Sequence, residues 1–387
     1  MTKELWLLEK ILSISSINGE DNECKIAEFI YQYLKGNNVE VTIQYIDDRH
    51  ANVLATVPGK SRQTVIWNGH LDTVPYGEIE EWDTDPKIPK EKEGKIYARG
   101  ASDMKSGLAA MVYLLGEIGM SGKKPENTIY FLGTCDEEKG GIGAEKILEQ
   151  NAMPEAELLL IGEPTGCRLG VAQKGCLWTE ISVQGITSHG AYPWEGCNAI
   201  EYGIEYGIEM FLHLKEWIES FEHDILGNAT VQVTMVNGGV APNMTPDCAK
   251  FLLDIRTVPG LDVQMVLKKI EKIGEELYVE SGRRVGFDVQ VLNERRAIEL
   301  VEENVWLKYF KECLEQEGEK PEEIGINYFT DASILTRRCK EMAVLLFGPG
   351  EPHMAHKPNE YVEIEKYKEY IRLLCRIFDI TYPKIGK

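Results

Sequence analysis

The chain has 387 residues, enough for one large or two ordinary domains, and its 43% apolar and 27% charged content is that of a globular protein in water. Sixty-three acidic against 42 basic residues leave a net charge of −21, which argues against a nucleic-acid partner, repels anionic substrates at long range and attracts divalent cations. Nine cysteines without a CxxC pair, no signal peptide and no apolar run of membrane-spanning length make a reducing cytoplasm the expected location, with no membrane partner.

In chain order, Leu5, Leu8, Ile11 and Leu12 recur at helical spacing, so residues 2–14 are expected as an amphipathic helix broken at Asn18–Gly19. A second helix is expected over 21–35, with Gly36 as its left-handed cap. Strands follow at 39–45, 51–57 and from Thr64 into His70, where Thr, Val, Ile and Trp favour extended chain. Residues 78–92 are charged and contain proline, as in a surface loop, and 104–119 form a mostly apolar helix that must pack on a sheet. A strand at 128–134, a short helix at 145–149 and an apolar strand at 158–161 complete this pattern.

The pattern changes after Gly175. Strand 177–184, helix 198–221, strands 230–237 and 249–256, helix 261–280 and strand 284–292 run in the order β-α-β-β-α-β, which suggests a ferredoxin-like unit. Helix 301–317, a short strand near 325–328, strand 342–347 and helix 364–379 return to the first pattern. The expected organisation is therefore a catalytic α/β domain over 1–176 and 293–387, with 177–292 inserted.

Polar residues cluster where apolar segments end. His70 and Asp72 close the strand from Thr64, Asp103 precedes the apolar helix, Glu137 and Glu138 follow strand 128–134, and Glu163 follows strand 158–161. His356 follows strand 342–347 and its glycine-rich turn. In open α/β sheets such positions line the ligand crevice. A lone His-x-Asp or Glu-Glu pair is more often a pair of solvated side chains on a loop, and only the company of the others favours a metal site. Carboxylates with imidazoles and no thiolate suit zinc, cobalt or manganese, and two histidines with three carboxylates are too many for one catalytic zinc but right for two ions. One of Glu137 and Glu138 would then bind metal while the other moves a proton. A common two-metal phosphoesterase is disfavoured because no Gly-Asn-His-Asp/Glu segment is present.

The segments Gly69–His70–Leu71–Asp72–Thr73–Val74–Pro75, Gly100–Ala101–Ser102–Asp103–Met104–Lys105, Asp136–Glu137–Glu138, Gly162–Glu163–Pro164–Thr165 and His356–Lys357–Pro358–Asn359–Glu360 resemble, in order, those of the M20 metallopeptidases. Within that family the chain is most similar to the acetylornithine deacetylase and succinyl-diaminopimelate desuccinylase branch. The resemblance implies a mixed-sheet, zinc-peptidase-like catalytic domain with an inserted lid and dimerisation domain. It implies two divalent ions, zinc first and cobalt or manganese next, with Asp103 bridging them, His70 and Glu163 completing one site, and Glu138 and His356 the other. Glu137 is then general base and acid, Asp72 orients His70, and Asp103–Met104 is a cis peptide. His189 is implied to reach the partner subunit's active site as an oxyanion donor, and Asn243 and Arg256 to hold the substrate. The implied reaction is metal-hydroxide attack on the amide of an N-acyl amino acid by a homodimer, with a dipeptidase, a carboxypeptidase or a non-catalytic binding protein as alternatives. Ala98, Ser106 and Lys357 depart from the family pattern, His353 competes with His356, and Asp331 is expected only to support the pocket.

Overall fold

The computed structural model describes residues 1–280, 285–339 and 341–381. Its internal contacts divide the chain into two units, one of residues 1–171, 300–324 and 330–387, the other of 172–299 and 325–329.

The first unit is built on a mixed sheet. Its strands lie in the order Glu40–Tyr45, Ala51–Val57, Thr128–Thr134, Thr64–His70, Leu158–Ile161, Ala343–Leu346 and Leu169–Gln173. The four strands from Thr128–Thr134 to Ala343–Leu346 run parallel, and antiparallel strands flank them. Register aligns His70 with Thr134 and Asn68 with Ile161. The carboxyl ends of all four parallel strands therefore open on one edge. Helix Lys105–Ser121 is buried along nearly its whole length and packs against helices Lys3–Leu12, Cys24–Gly36 and Ile364–Ile377. That burial is why its sequence is apolar on every face. Gly107 makes the approach possible, because a Cβ there would lie 2.0 Å from the Gly162 carbonyl oxygen.

Two local expectations need correction. The helix ending at Gly36 is not capped by that glycine, and Asn38 takes the left-handed conformation instead, at φ 62°. Asn is one of the few side chains that tolerate this region. Residues 78–92 are not all loop: Lys90–Lys92 pairs with Lys95–Tyr97 across Glu93–Gly94, both at positive φ, in a tight hairpin turn.

The second unit contains a four-stranded antiparallel sheet in the order Thr230–Gly238, Cys248–Arg256, Cys176–Gln184, Gly286–Arg295. Helices Ala199–Glu219 and Val263–Glu280 connect the strands, which gives the ferredoxin-like order, with a short hairpin at Glu222–His223 and Gly227–Asn228 added. Its core is its own, around Leu177, Ile181, Leu214, Leu253 and Ile270. Asn198 caps the longer helix by accepting from the Ile200 and Glu201 amides. The strand expected from Arg284 begins at Gly286, and Arg284 itself lies outside the described residues. Among the described residues no helix is long and apolar enough to cross a membrane.

Candidate metal centre

The carboxyl edge of the first unit's sheet gathers six of the expected residues. His70 ends its strand with its ring buried. Glu163 stands two residues past Ile161, and Glu137 and Glu138 stand three and four past Thr134. Asp103 precedes the buried helix through a cis peptide to Met104. His356 lies on the turn after Ala343–Leu346, at φ 64° and with 54% of its side chain exposed.

Asp103 stands between the two imidazoles: its Oδ1 is 3.2 Å from His70 Nε2 and its Oδ2 is 3.4 Å from His356 Nε2. Glu163 Oε1 is 4.0 Å from His70 Nε2, and Glu138 Oε2 is 3.0 Å from His356 Nε2. The donor atoms of His70, Asp103 and Glu138 all lie within 4.8 Å of one another. Burial pushes the Glu137 and Glu163 carboxyls well above the ordinary range; the Glu163 charge adds to the rise at Glu137, and the Asp103 and Glu138 charges add to it at Glu163. Glu138 is also raised, chiefly by burial and despite its contact with His356. Glu138 Oε1 is buried with no hydrogen-bond partner among the described residues. Crowded, buried acids with an orphaned oxygen beside two imidazoles fit divalent cations, and without a cation they repel one another.

Asp72 organises the cluster from behind. Its Oδ2 accepts from the Glu138 amide and Asn18 Nδ2, each at 3.1 Å, and its Oδ1 accepts from the Glu137 amide at 3.2 Å and lies 3.5 Å from His70 Nδ1. Burial alone would raise this carboxyl, but His70 and the two amides outweigh it and hold the group below the usual range. The carboxylate thus holds the Glu137–Glu138 turn and flanks the imidazole, whose Nδ1 lies 3.1 Å from the Asp72 backbone carbonyl. Asp136 enters that turn at φ 61°, a conformation that costs a non-glycine residue about 1–2 kcal/mol. Asn18 Nδ2, at 2.8 Å from Asp136 Oδ1, and the Gly141 amide bonded to the Asp136 carbonyl hold it there.

Several contributors escaped the sequence reading. Glu360 is fully buried and accepts the Gly100, Ser102 and Asp103 amides. Glu23, whose burial lifts its carboxyl to about 9, accepts the Asp136 amide. Lys105 is buried and donates to the Ile14 carbonyl at 2.7 Å. Each acts across a long sequence separation, and a single acid, amide or lysine carries no local signal. Of the noted departures, Ser106 is buried with its hydroxyl unpaired among the described residues, and Lys357 is exposed. His353 is exposed and lies 3.8 Å from Glu351, whereas His356 meets Asp103 and Glu138. Asp331 is buried, and its charge contributes to the rise of Glu137 and Glu163. Cys135 is a packed thiol against Asn52, and burial holds it far above its ordinary range.

His189, Asn243 and Arg256 belong to the second unit. Their loops clasp each other through Gly190 N to Asn243 O at 2.8 Å and Thr245 N to Ser188 O at 2.9 Å. This juxtaposes His189 with Asn243. His189 Nδ1 accepts from the Ala191 amide at 3.0 Å, which assigns the ring proton to Nε2 in the neutral ring. Arg256 ends its strand with Nε 2.8 Å from Asp254 Oδ1 and Nη2 3.1 Å from Asp254 Oδ2, beside the Phe329 ring.

Acids and imidazoles gathered at the parallel edge of a mixed sheet, with every side chain but that of His356 buried, are the make-up of a metal-dependent hydrolase. The chain belongs to peptidase family M20/M25/M40, whose model matches residues 66–379. A probable succinyl-diaminopimelate desuccinylase of Staphylococcus aureus is 27% identical over 395 residues, covering 95% of each chain. An M20 domain-containing protein of Schizosaccharomyces pombe is 28% identical over 94% of this chain and 81% of its own. Among solved structures, an M20 family metallo-carboxypeptidase of Sulfolobus solfataricus superposes with a TM-score of 0.79 at 18% identity over 98% of this chain and 99% of its own. A tripeptidase of Staphylococcus aureus gives 0.77 at 20% over 98% and 97%, and a dinuclear metal-binding M20 peptidase of Bacillus subtilis 0.72 at 13% over 98% of both.

Proposed function

We propose that this chain is a two-metal amidohydrolase that releases the acyl group from N-acyl amino acids. The observation that carries the proposal is the position of Asp103, with one carboxylate oxygen toward each imidazole. A carboxylate so placed suits two ions roughly 3.5–4 Å apart. Asp103 would bridge them, His70 and Glu163 hold one, and Glu138 and His356 hold the other. Zinc is the first choice for this donor set, with cobalt and manganese next. Bound ions would polarise the scissile carbonyl and make water nucleophilic at neutral pH.

Every other role falls to the chain itself. Glu137 takes a proton from the attacking water and returns it to the leaving nitrogen. Its burial and acidic neighbours support this, because they raise the carboxyl above the ordinary glutamate range and so strengthen it as a base. Asp72 keeps His70 in the tautomer that presents Nε2 to the metal. His189, with its proton on Nε2, is suited to donate to a developing oxyanion, and we assign it that role from the partner subunit of a homodimer. Two features support the homodimer. Strand Thr230–Gly238 pairs on one side only among the described residues, and the helix Ala199–Glu219 exposes Ile204, Ile208 and Leu212 in one row. Asn243 would hold the substrate carbonyl. Arg256, already oriented by Asp254, would hold the substrate carboxylate. Nine free thiols, mostly buried, support a reducing cytoplasm.

The desuccinylase-named relatives favour an acylated amino acid. The tripeptidase and carboxypeptidase among the solved neighbours support a second reading, cleavage of short peptides by the same groups. Hydrolysis of N-acetyl, N-succinyl and N-carbamoyl amino acids beside a set of dipeptides, on zinc- and cobalt-loaded protein, decides between them. One acylated substrate turned over far above the rest is the expected result. Preference for dipeptides selects the second reading, and silence across the set with metal bound refutes both substrate classes.

A further inference from the structure

The two halves of the metal centre are held by different means. His70 sits within a sheet strand, and Asp72 faces its second ring nitrogen at 3.5 Å. His356 stands on an exposed turn, with its backbone in the left-handed region. Asn359 ties that turn to the Asp83 amide and the Glu81 carbonyl, and a buried ion pair ties it to the loop that presents Asp103. Glu360 Oε2 accepts from Arg99 Nη1 at 2.8 Å and from the Gly100 amide at 3.0 Å, and Oε1 accepts from the Ser102 and Asp103 amides at 2.8 and 2.9 Å. Arg99 Nη1 also donates to the Lys357 carbonyl at 3.0 Å, one residue after His356. Ser102 Oγ donates to the Tyr361 carbonyl at 2.7 Å. The loop that presents Asp103 and the turn that presents His356 are therefore registered against each other by Glu360 and Arg99.

We propose that Glu360, through Arg99, is the positioning residue for the metal position on the Glu138–His356 side, so that the two metal positions can be uncoupled by disturbing this pair. The inference rests on the two-metal reading above. Both carboxylate oxygens already hold two donors, so a glutamine would turn its NH2 group against N–H donors on one side. The turn bearing His356 would then lose its register. The His70–Glu163 side keeps its strand, Asp72 and the Glu163 turn, and is touched only through the amide of the shared Asp103, which Glu360 also accepts.

The test is zinc and cobalt binding to the full chain, by titration and by metal analysis after dialysis, for the native protein, Glu360→Gln, Arg99→Lys, Glu360→Gln/His356→Ala and Glu360→Gln/His70→Ala. The expected result is two ions per native chain. In Glu360→Gln one ion is retained and the other is weakened by about 10–100-fold, the usual effect of removing an outer partner. Adding His356→Ala changes little, whereas adding His70→Ala removes the retained ion. Arg99→Lys keeps the charge but loses the planar guanidinium, whose Nη1 meets both Glu360 and the Lys357 carbonyl while Nη2 donates to the Tyr76 carbonyl. It shows the same split if Glu360→Gln folds poorly by circular dichroism. Two ions of native affinity in both single variants, or an equal loss of both ions, overturns the inference. Fewer than two ions on the native chain overturns the two-metal reading itself, and that result needs no variant.

Discussion

Replacing Asp72 by asparagine tests whether the cluster is organised from behind. The carboxylate meets two donors on Oδ2, the Glu138 amide and Asn18, and on Oδ1 the Glu137 amide and the nearby His70 ring. An asparagine keeps two donors on its carbonyl oxygen and must turn its NH2 toward Glu137 N and His70. One charge-assisted hydrogen bond is lost, about 1.5–3 kcal/mol. At 1.4 kcal/mol per decade that is about 10–100-fold, the range expected for an outer partner of a metal-binding histidine. Zinc affinity, by competition with a chromophoric chelator, should fall by that factor. Thermal unfolding in excess chelator separates the stability loss from the binding loss. The Asp72 carboxyl is held below its unfolded value, so it contributes stability that is present above the ordinary carboxylate range and lost as pH falls through the folded value. The variant should therefore show a shallower acid limb. Native zinc affinity with an unchanged acid limb would refute the reasoning.

Glu137→Gln should lower amide hydrolysis by about 10²–10⁴-fold while metal content by elemental analysis stays at the native value; retained activity removes Glu137 from the proton-transfer role. In chelator, stability should fall as pH rises from about 5 to 8.5. Glu23, Glu137, Glu138 and Glu163 hold protons in the folded state above the ordinary glutamate range, about 4.3, and His70 and His356 above theirs, so folding is favoured where these groups stay protonated. Melting curves across that range should flatten when zinc is added, and a chelated protein that gains stability with pH would contradict the sign. Gly107→Ala should cost about 1–3 kcal/mol or more by overpacking, because its Cβ would lie 2.0 Å from the Gly162 carbonyl. Gly207→Ala, in a helix with nothing within 4 Å, should gain about 0.5–1 kcal/mol, and urea titration of the two variants measures both changes.

Strand ends were the legible part of the site. Period and composition placed the strand into His70, the strand before Glu137 and the apolar helix after Asp103, and the sheet's parallel centre brings those ends to one edge. The ferredoxin-like order was legible because each of its elements is long and alternates or repeats cleanly. What stayed hidden depends on distant partners. Glu360 closes the segment that begins at His356, but its role comes from three amides some 257–260 residues earlier in the chain. Asn38 displaced Gly36 as the left-handed residue because the helix runs one residue further than its composition suggests. The hairpin at Glu93–Gly94 lies inside a charged segment whose polarity masks its pairing. His189, Asn243 and Arg256 had no signal apart from resemblance, since a turn histidine, a loop amide and a strand-end arginine are common anywhere.

The parallel pairing of Ala343–Leu346 with Leu158–Ile161 has a consequence for how the chain is made. The central sheet stays incomplete until synthesis has passed the whole of residues 172–299, while that intervening unit has its own core and sheet to fold first. The thermodynamic cost of so long a detour is small, about 0.6 kcal/mol for each doubling of a closed loop. The kinetic cost is larger. The edge of Leu158–Ile161 waits unpaired on the emerging chain, a template for wrong partners, until the last quarter of the protein arrives to cover it. The edge that carries the candidate metal centre therefore assembles last, with His356 joining it almost three hundred residues after His70 left the ribosome.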